Sequence, residues 1–168
     1  EKTSPCSAAC PAGEDIARIQ MLANQESFKE AVHTILIENP FPAVCGRVCF
    51  HPCETACNRT GFDEPIAIRC LERFLGDFAI HESMKLPPEK LPENGKSVCI
   101  AGAGPAGLAA GYFLTRLGYS CHIFEASSEP GGILRWGIPE YRLPVEILAR
   151  EIERIKDFGV KINCNVPM

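Results

Sequence analysis

The sequence predicts two units in series, an all-helical one followed by part of an α/β one built on a parallel sheet. Three observations lead there. Apolar residues recur at helical spacing through the first half, whereas short apolar β-runs alternate with helical stretches in the second. The cysteines are divided: Cys6, Cys10, Cys45, Cys49, Cys53, Cys57 and Cys70 lie in the first half, and only Cys99, Cys121 and Cys164 in the second. Between the halves runs ESMKLPPEKLPENGK, charged and proline-rich, which reads as a surface linker. The boundaries drawn from this are 1–83 for the helical unit, 84–96 for the linker and 97–168 for the α/β unit.

Each element has a local cause. Residues 14–24 carry Ile16, Ile19 and Leu22 near helical spacing, and residues 27–38 set Phe28, Ala31, Val32, Ile35 and Leu36 on one face. Pro40 and Pro42 end that second helix. A third is expected to start near Asp63-Glu64-Pro65, where acids and proline favour a helix entry, and to bury Ile68, Leu71, Leu75 and Phe78. In the second half SVCIAGAG is a β-run, Pro105 to Leu117 a helix and SCHIFEA a second β-run. Residues 144–158 form another helix through Val145, Leu148, Ile152 and Ile155, and VKINCNV a third strand. Strand, helix, strand, helix, strand is a parallel arrangement with right-handed crossovers.

Composition sets the outer limits. Apolar residues at 46% and charged residues at 23% support a packed core and argue against disorder. A net charge of −4 leaves little to neutralise phosphates, so a nucleic-acid partner is not expected. No apolar run approaches the roughly 18 residues of a membrane helix, so no membrane insertion is expected. The chain opens EKTSPC, with neither an initiator Met nor a secretory signal, and reads as a piece of something longer.

Gly102-Ala103-Gly104-Pro105-Ala106-Gly107 matches GxGxxG, and it follows a strand and opens a helix, the context that gives the pattern meaning. Gly102 permits the tight turn, Gly104 lets the backbone approach a pyrophosphate, and Gly107 lets the helix pack on the strand. The helix N-terminus, entered through Pro105 and Ala106, then offers free N–H groups to phosphate. Glu125 ends the second strand about 20 residues on, where a carboxylate can bond ribose hydroxyls. FAD and NAD share this fingerprint, so the motif leaves the choice open, and a glycine-rich turn without ligand is the bland alternative.

The cysteines allow two chemistries. A small secreted domain would pair them as disulfides, and a cytosolic protein would use them for metal or redox work. The attached nucleotide fold favours the reduced compartment. Cys6-x3-Cys10 and Cys49-x3-Cys53-x3-Cys57 are the core spacings, with Cys45 four residues upstream. Four residues of helix rise roughly 6 Å, which suits adjacent corners of a cluster. Gly46 and Pro52 mean that the run is not one long helix, so the ligands wrap. Spacing alone leaves zinc and iron–sulfur both open. His51 is either a metal ligand or a surface residue, and Arg47 either offsets thiolate charge or forms a plain surface pair. Cys99, Cys121 and Cys164 read as small buried hydrophobes, and His33 and His81 as helix surface.

Two stretches carry a family resemblance. Asn39-Pro40-Phe41-Pro42-Ala43-Val44-Cys45-Gly46-Arg47-Val48-Cys49, followed by Pro52-Cys53-Glu54 and Cys57, is similar to the N-terminal cluster domain of glutamate synthase small subunits. That domain also fronts dihydropyrimidine dehydrogenase and the large subunit of ferredoxin:NADP transhydrogenases. The loop GGILRWGIPEYRLP, residues 131–144, resembles the FAD-binding domain of the same family. The resemblance implies an α-helical iron–sulfur domain followed by a partial Rossmann-type domain, with one or two [4Fe–4S] clusters and FAD. It places Cys10, Cys49 and Cys53 on one cluster, with a non-Cys fourth ligand at the position of Glu72. Cys6 and Cys57 would serve a second cluster, together with cysteines that this chain lacks. Glu72 read by itself is equally a helix surface residue paired with Arg69 or Arg73. Cys45 and Cys70 match no family ligand and read as core, or as stand-ins if the ligand set is rearranged. Gly132 and Arg142 carry over as cofactor-binding positions beside the glycine turn and Glu125.

The activity implied is NAD(P)H-dependent electron transfer through FAD and clusters to a redox partner subunit, in the cytoplasm. The nicotinamide site, for NADPH or NADH, would lie in the remainder of the protein's own chain, and the fragment alone would be inactive. No residue stands out as a proton-transfer or nucleophilic catalyst. A non-catalytic electron-wiring or docking module with a vestigial flavin fold, and a zinc-bound structural module, are the competing readings. Three strands are only the first half of a doubly wound sheet, so the outer edge of the first strand is expected to be unpaired.

Overall fold

A computed structural model describes residues 3–85 and 90–167. The chain divides into two compact units, 1–84 and 85–168. Of the stretch expected to be a linker, residues 86–89 lie outside the described residues. Residues beyond them do not float free: the Leu91 N–H donates to Arg116 O at 2.8 Å and the Asn94 N–H to Gly118 O at 3.0 Å.

The first unit is helical throughout. Helix α1 is Pro5–Ala9, α2 Ile16–Asn24 and α3 Phe28–Glu38. Asp15 caps α2 by accepting the Arg18 N–H at 3.1 Å. Ala31, Val32, Ile35 and Leu36 of α3 are buried, as their spacing requires. Asn39 ends α3, and Pro42 then starts a further helix, α4, Pro42–Val48. Proline suits that first position because its missing N–H would have had no intrahelical partner. A four-residue helix α5, Pro52–Thr55, and a 3-10 turn, Asn58–Gly61, precede α6, Ile68–His81.

Helix α6 starts later than the sequence suggested. Asp63 is held by Arg59 through two hydrogen bonds of 2.8 and 2.7 Å and does not cap the helix. Glu54 supplies the entry instead, accepting the Arg69 N–H at 2.8 Å from fifteen residues away. Ile68, Leu75 and Ala79 are buried, while Leu71 and Phe78 are only half-buried. The Phe28 ring packs edge-on against Phe74 and Phe78, at 5.2 and 5.6 Å between centroids, and so joins α3 to α6. Gly46 does not break α4; it lies inside the helix. A Cβ there would land on the backbone of Arg73, and one at Gly76 on the backbone of Ala43, so α4 and α6 cross in backbone contact. Arg47 reaches across the same crossing to Asp77 at 2.7 Å with its side chain buried, so its charge is satisfied within the fold.

In the second unit, β1 is Ser97–Ala101, α7 Pro105–Arg116, β2 Ser120–Phe124, α8 Ile133–Trp136, α9 Val145–Asp157 and β3 Lys161–Asn163. The strands are parallel in the order β1-β2-β3, and Ala101 pairs with Phe124 and Phe124 with Asn163. Leu108, Tyr112, Ile123, Leu148, Ile152, Ile155 and Val160 form the core. Gly111 lets α7 lie close: a Cβ there would stand 3.1 Å from Val160 and 3.2 Å from Ile123. Periodicity did not announce the buried pair Glu151 and Arg154, 2.8 Å apart on α9. Among the described residues β1 has a neighbouring strand on one side only. Cys121 is buried as expected and Cys164 half-buried, but Cys99 is exposed. The alternation along β1 turns Ser97, Cys99 and Ala101 outward and Val98 and Ile100 inward, toward the core.

The α4–α6 crossing gives the first test. Gly76→Ala is expected to destabilise the helical unit by about 1–3 kcal/mol through overpacking. The measurement is amide hydrogen exchange, which should quicken along α6 and stay unchanged in α7. Unaltered protection of α6 would mean that the two helices can part without penalty.

Candidate cluster and nucleotide sites

The cysteine site is assembled from chain breaks. Cys10 ends α1, its N–H bonded to Cys6 O at 3.1 Å, and a turn through Gly13 at φ 77° follows. Cys49 caps α4 in an extended conformation, His51 adopts the left-handed region at φ 46°, and Pro52 restarts the helix so that Cys53 falls in the first turn of α5. The cysteine-bearing chain therefore turns rather than running as one helix, and the break lies at Cys49–His51 and not at Gly46. His51 donates its backbone N–H to Cys49 Sγ at 3.2 Å, and its ring lies 3.4 Å from Glu54. Its role here is to shape the loop.

Cys53 is buried against Ile16 and Ile68, with Cys6 and Cys10 packed beside them. Burial pushes its thiol up to about 12, and neighbouring Cys10, Cys49 and Glu54 add to the rise, against a backbone hydrogen bond from Glu54 that lowers it. Cys10 and Cys49 thus stand within electrostatic reach of Cys53. Among the described residues no three His, Cys, Asp or Glu side chains surround a single ion position. Cys57 lies past α5, and backbone N–H groups of Ile66 and Arg59 hold its thiol below the usual range. Cys6 lies on α1, 3.2 Å from Ser4 Oγ, and α1 packs on α5. Cys45 is half-buried and Cys70 exposed on α6, so Cys70 is not core.

Glu72 is half-buried and joins an interior hydrogen-bonded group. Asn39 Nδ2 donates to Glu72 Oε1 and to Glu14 Oε1, both at 2.8 Å. Glu14 and Asn39 are 6% and 5% exposed, so the group is an interior one. Burial raises the Glu14 pKa, opposed by its hydrogen bonds to Asn39 and Glu72. Neither Glu14 nor Asn39 was visible as a site residue in the sequence. They meet across 25 positions, and Asn39 meets Glu72 across 33, which local pattern does not record.

The nucleotide site is built around the turn between β1 and α7. Gly102 has φ 89°, Gly104 is the extended N-cap of α7, and Pro105 is its first residue. A Cβ at Gly107 would collide with the Gly102 carbonyl oxygen, so glycine is required there for the helix to sit on the turn. The N–H groups of Ala106 and Gly107, in the first turn, have no intrahelical acceptor. Glu125 is buried and accepts the Ala103 N–H on Oε2 at 2.7 Å and the Ser127 N–H on Oε1 at 2.8 Å. These bonds hold its carboxyl below the ordinary value. The 130–144 loop comes back onto the same turn: the Gly131 N–H donates to Ala103 O at 2.8 Å, and a Cβ on Gly132 would stand 2.7 Å from Gly104 Cα. Gly102, Gly104, Gly107, Glu125 and Gly132 are thereby brought together, whereas Arg142 is exposed farther along the loop. Trp136, on α8, is exposed as well.

Residues 2–84 match the family described as dihydropyrimidine dehydrogenase domain II, 4Fe-4S cluster, and residues 100–147 match that of NAD(P)-binding Rossmann-like domains. The chain is 45% identical over 164 residues to an NAD-dependent dihydropyrimidine dehydrogenase subunit PreT homolog of Salmonella typhi, covering 96% of this chain and 40% of that protein. Over nearly its whole length the chain is thus similar to NAD(P)-dependent iron–sulfur oxidoreductase subunits. Among these relatives, the NADPH-Fe(3+) oxidoreductase subunit beta of Geobacter sulfurreducens is 42% identical over 162 residues, covering 95% of this chain and 24% of that protein. Glutamate synthase [NADH] of Schizosaccharomyces pombe is 37% identical over 157 residues, covering 94% and 7%. The chain spans well under half the length of these relatives. Its two parts are an iron–sulfur cluster domain and a nucleotide-binding Rossmann-like domain, and among the described residues no helix is long and apolar enough to cross a membrane.

The Glu125 brace predicts a pH dependence. Its folded pKa lies below the ordinary carboxylate range, so its contribution is fully present above that range and fades as pH falls through the folded pKa. Glu125→Gln should weaken the second unit by roughly 1.5–3 kcal/mol at about pH 7. The gap from wild type should narrow in acid. Trp136 is the single tryptophan and lies in this unit, so its fluorescence during urea unfolding reports the change. A gap that does not vary with pH would show that the carboxylate charge plays no part.

Proposed function

We propose that the whole protein is an NAD(P)H-dependent iron–sulfur flavoprotein that transfers electrons, and that this chain supplies its first cluster domain and the opening of its FAD site. The observation that carries the reading is the placing of Cys10 and Cys49 beside the buried Cys53, on the same chain as a glycine turn braced by Glu125. When bound, the flavin converts a nicotinamide hydride into single electrons and the clusters conduct them.

The chain's own residues hold and orient these groups. Cys10, Cys49 and Cys53 would hold a [4Fe–4S] cluster, with Glu72 as its fourth ligand, and Cys6 and Cys57 would contribute to a second. The N–H groups at the start of α7 would receive the pyrophosphate, with Gly104 leaving room for it. Glu125 has both oxygens bonded to backbone N–H groups, yet each keeps a lone pair for a ribose hydroxyl. FAD is preferred to a nicotinamide at this turn because the Gly131–Gly132 loop lies directly on it, and that loop carries the flavoprotein resemblance. The nicotinamide and the redox partner subunit would engage parts of the protein beyond these 168 residues. A reduced, cytoplasmic setting suits ten free thiols.

Anaerobic purification of the whole protein tests this. Iron, sulfide and flavin should be found together, Cys49→Ser should lose iron and brown absorbance, and Gly104→Val should lose flavin while keeping iron. Stoichiometric zinc without iron would end the cluster assignment, and NADH held at this turn with no flavin retained would end the FAD assignment.

A further inference from the structure

Three cysteines leave a four-coordinate cluster one ligand short, and two side chains of suitable chemistry stand nearby. Glu72 projects from α6, and Cys45 lies one helical turn before Cys49 on α4, the Cys49 N–H bonding to Cys45 O at 2.9 Å. Both are bonded to the same residue. Asn39 Nδ2 donates to Glu72 Oε1 at 2.8 Å, and Cys45 Sγ donates to Asn39 Oδ1 at 3.7 Å. The amide cannot be turned over. The Phe41 backbone N–H, which can only donate, meets Oδ1 at 2.8 Å, and the Nδ2 side faces the two carboxyl groups of Glu14 and Glu72.

Building on the cluster reading above, we propose that Asn39 selects the fourth ligand, presenting Glu72 for coordination and withholding Cys45. The selection lies in donor and acceptor polarity. A carboxylate has four lone-pair sites on its two oxygens, so Glu72 can coordinate and keep its bond from Nδ2. A coordinating Cys45 would have no hydrogen left for Oδ1 and would set sulfur lone pairs against an oxygen lone pair. Glu14 is the second brace: it shares the Nδ2 group with Glu72 and is buried too deeply to swing away. Asn39 is thus a positioning residue, which touches the ligands and not the cluster.

Asn39→Asp tests the idea on the whole protein. It is isosteric, keeps an acceptor for the Phe41 N–H and for Cys45, and puts an oxygen where Glu72 expects a donor. Glu72 should leave the cluster while Cys45 stays withheld by the retained oxygen: the g values of the reduced cluster's electron paramagnetic resonance and its midpoint potential should both move from wild type. Adding Cys45→Ser should leave that new signal unchanged. In the wild-type background Cys45→Ser should be silent and Glu72→Ala should not. Asn39→Ser removes both the Nδ2 donor and the Oδ1 acceptor without adding charge; ligation should there pass to Cys45, the spectrum should move from wild type, and adding Cys45→Ser should abolish the signal with loss of iron, a test that stands if the aspartate variant fails to fold. A wild-type spectrum from an iron-replete Asn39 variant, or a changed spectrum from Cys45→Ser alone, overturns the proposal. Iron and sulfide counts keep the two levels apart, because a wild-type protein without iron defeats the cluster reading itself.

Discussion

The burial of the Cys53 thiol beside Cys10 and Cys49 is the constraint on which the helical unit depends. Burial pushes the Cys53 thiol up to about 12, and the neighbouring Cys10 and Cys49 add to the rise. In the proposed holo form a cationic centre would stabilise the deprotonated set, and its binding energy would then be folding energy. The geometry around the thiols serves the same end. A left-handed His51, a positive-φ Gly13 and an extended Cys49 all turn the chain at places where a continuous helix would have carried the sulfurs apart. The helices here are short, and a unit of this size has little apolar area with which to offset those local conformational penalties.

The second unit rests on different physics. Its strands and helices are fixed by ordinary periodic burial, and its special feature is a carboxylate surrounded by backbone. Glu125 bonds the turn on one side through Ala103 and its own following loop on the other through Ser127. The turn then receives a third segment, because Gly131 bonds the Ala103 carbonyl and Gly132 rests on Gly104. Three backbone stretches meet with almost no side chain between them, which is what a site that must admit a pyrophosphate to backbone N–H groups requires.

What the sequence disclosed follows from how local each cause is. Helices α2, α3, α7 and α9 and the three strands depend on periodicity within one window, and they were legible. The start of α6 was not, since its entry is supplied by Glu54 and the nearby acid is occupied by Arg59. Gly46 was taken for a breaker because its reason for being glycine is the backbone of α6, a partner that spacing cannot reveal. Cys99 fits an inward strand residue by composition, but one step of alternation sends it outward. Around Cys53, the spacing of the thiols was readable in the sequence. The Glu14–Asn39–Glu72 group was not, because it is a purely tertiary meeting.

The α4–α6 crossing ties these observations into one mechanical argument. Gly46 against Arg73 and Gly76 against Ala43 fix how closely the helices approach, and Arg47 to Asp77 fixes how they are rotated about one another. Glu72 is the chain neighbour of Arg73, and Cys49 follows Gly46 by less than one helical turn. The contact that excludes a Cβ at Gly46 therefore also sets the separation between Cys49 and Glu72. Asn39 closes the arrangement from the other end, since it lies three residues before α4 and bonds to Glu72 on α6. Shifting either helix by one residue would replace glycine with a side chain at the crossing and would carry Glu72 about 100° around its axis. The stretch from Asn39 to Cys49 is consequently constrained by backbone contact at Gly46, by the Arg47–Asp77 ion pair and by the hydrogen bonds of Asn39, and changes at these positions would move a sulfur.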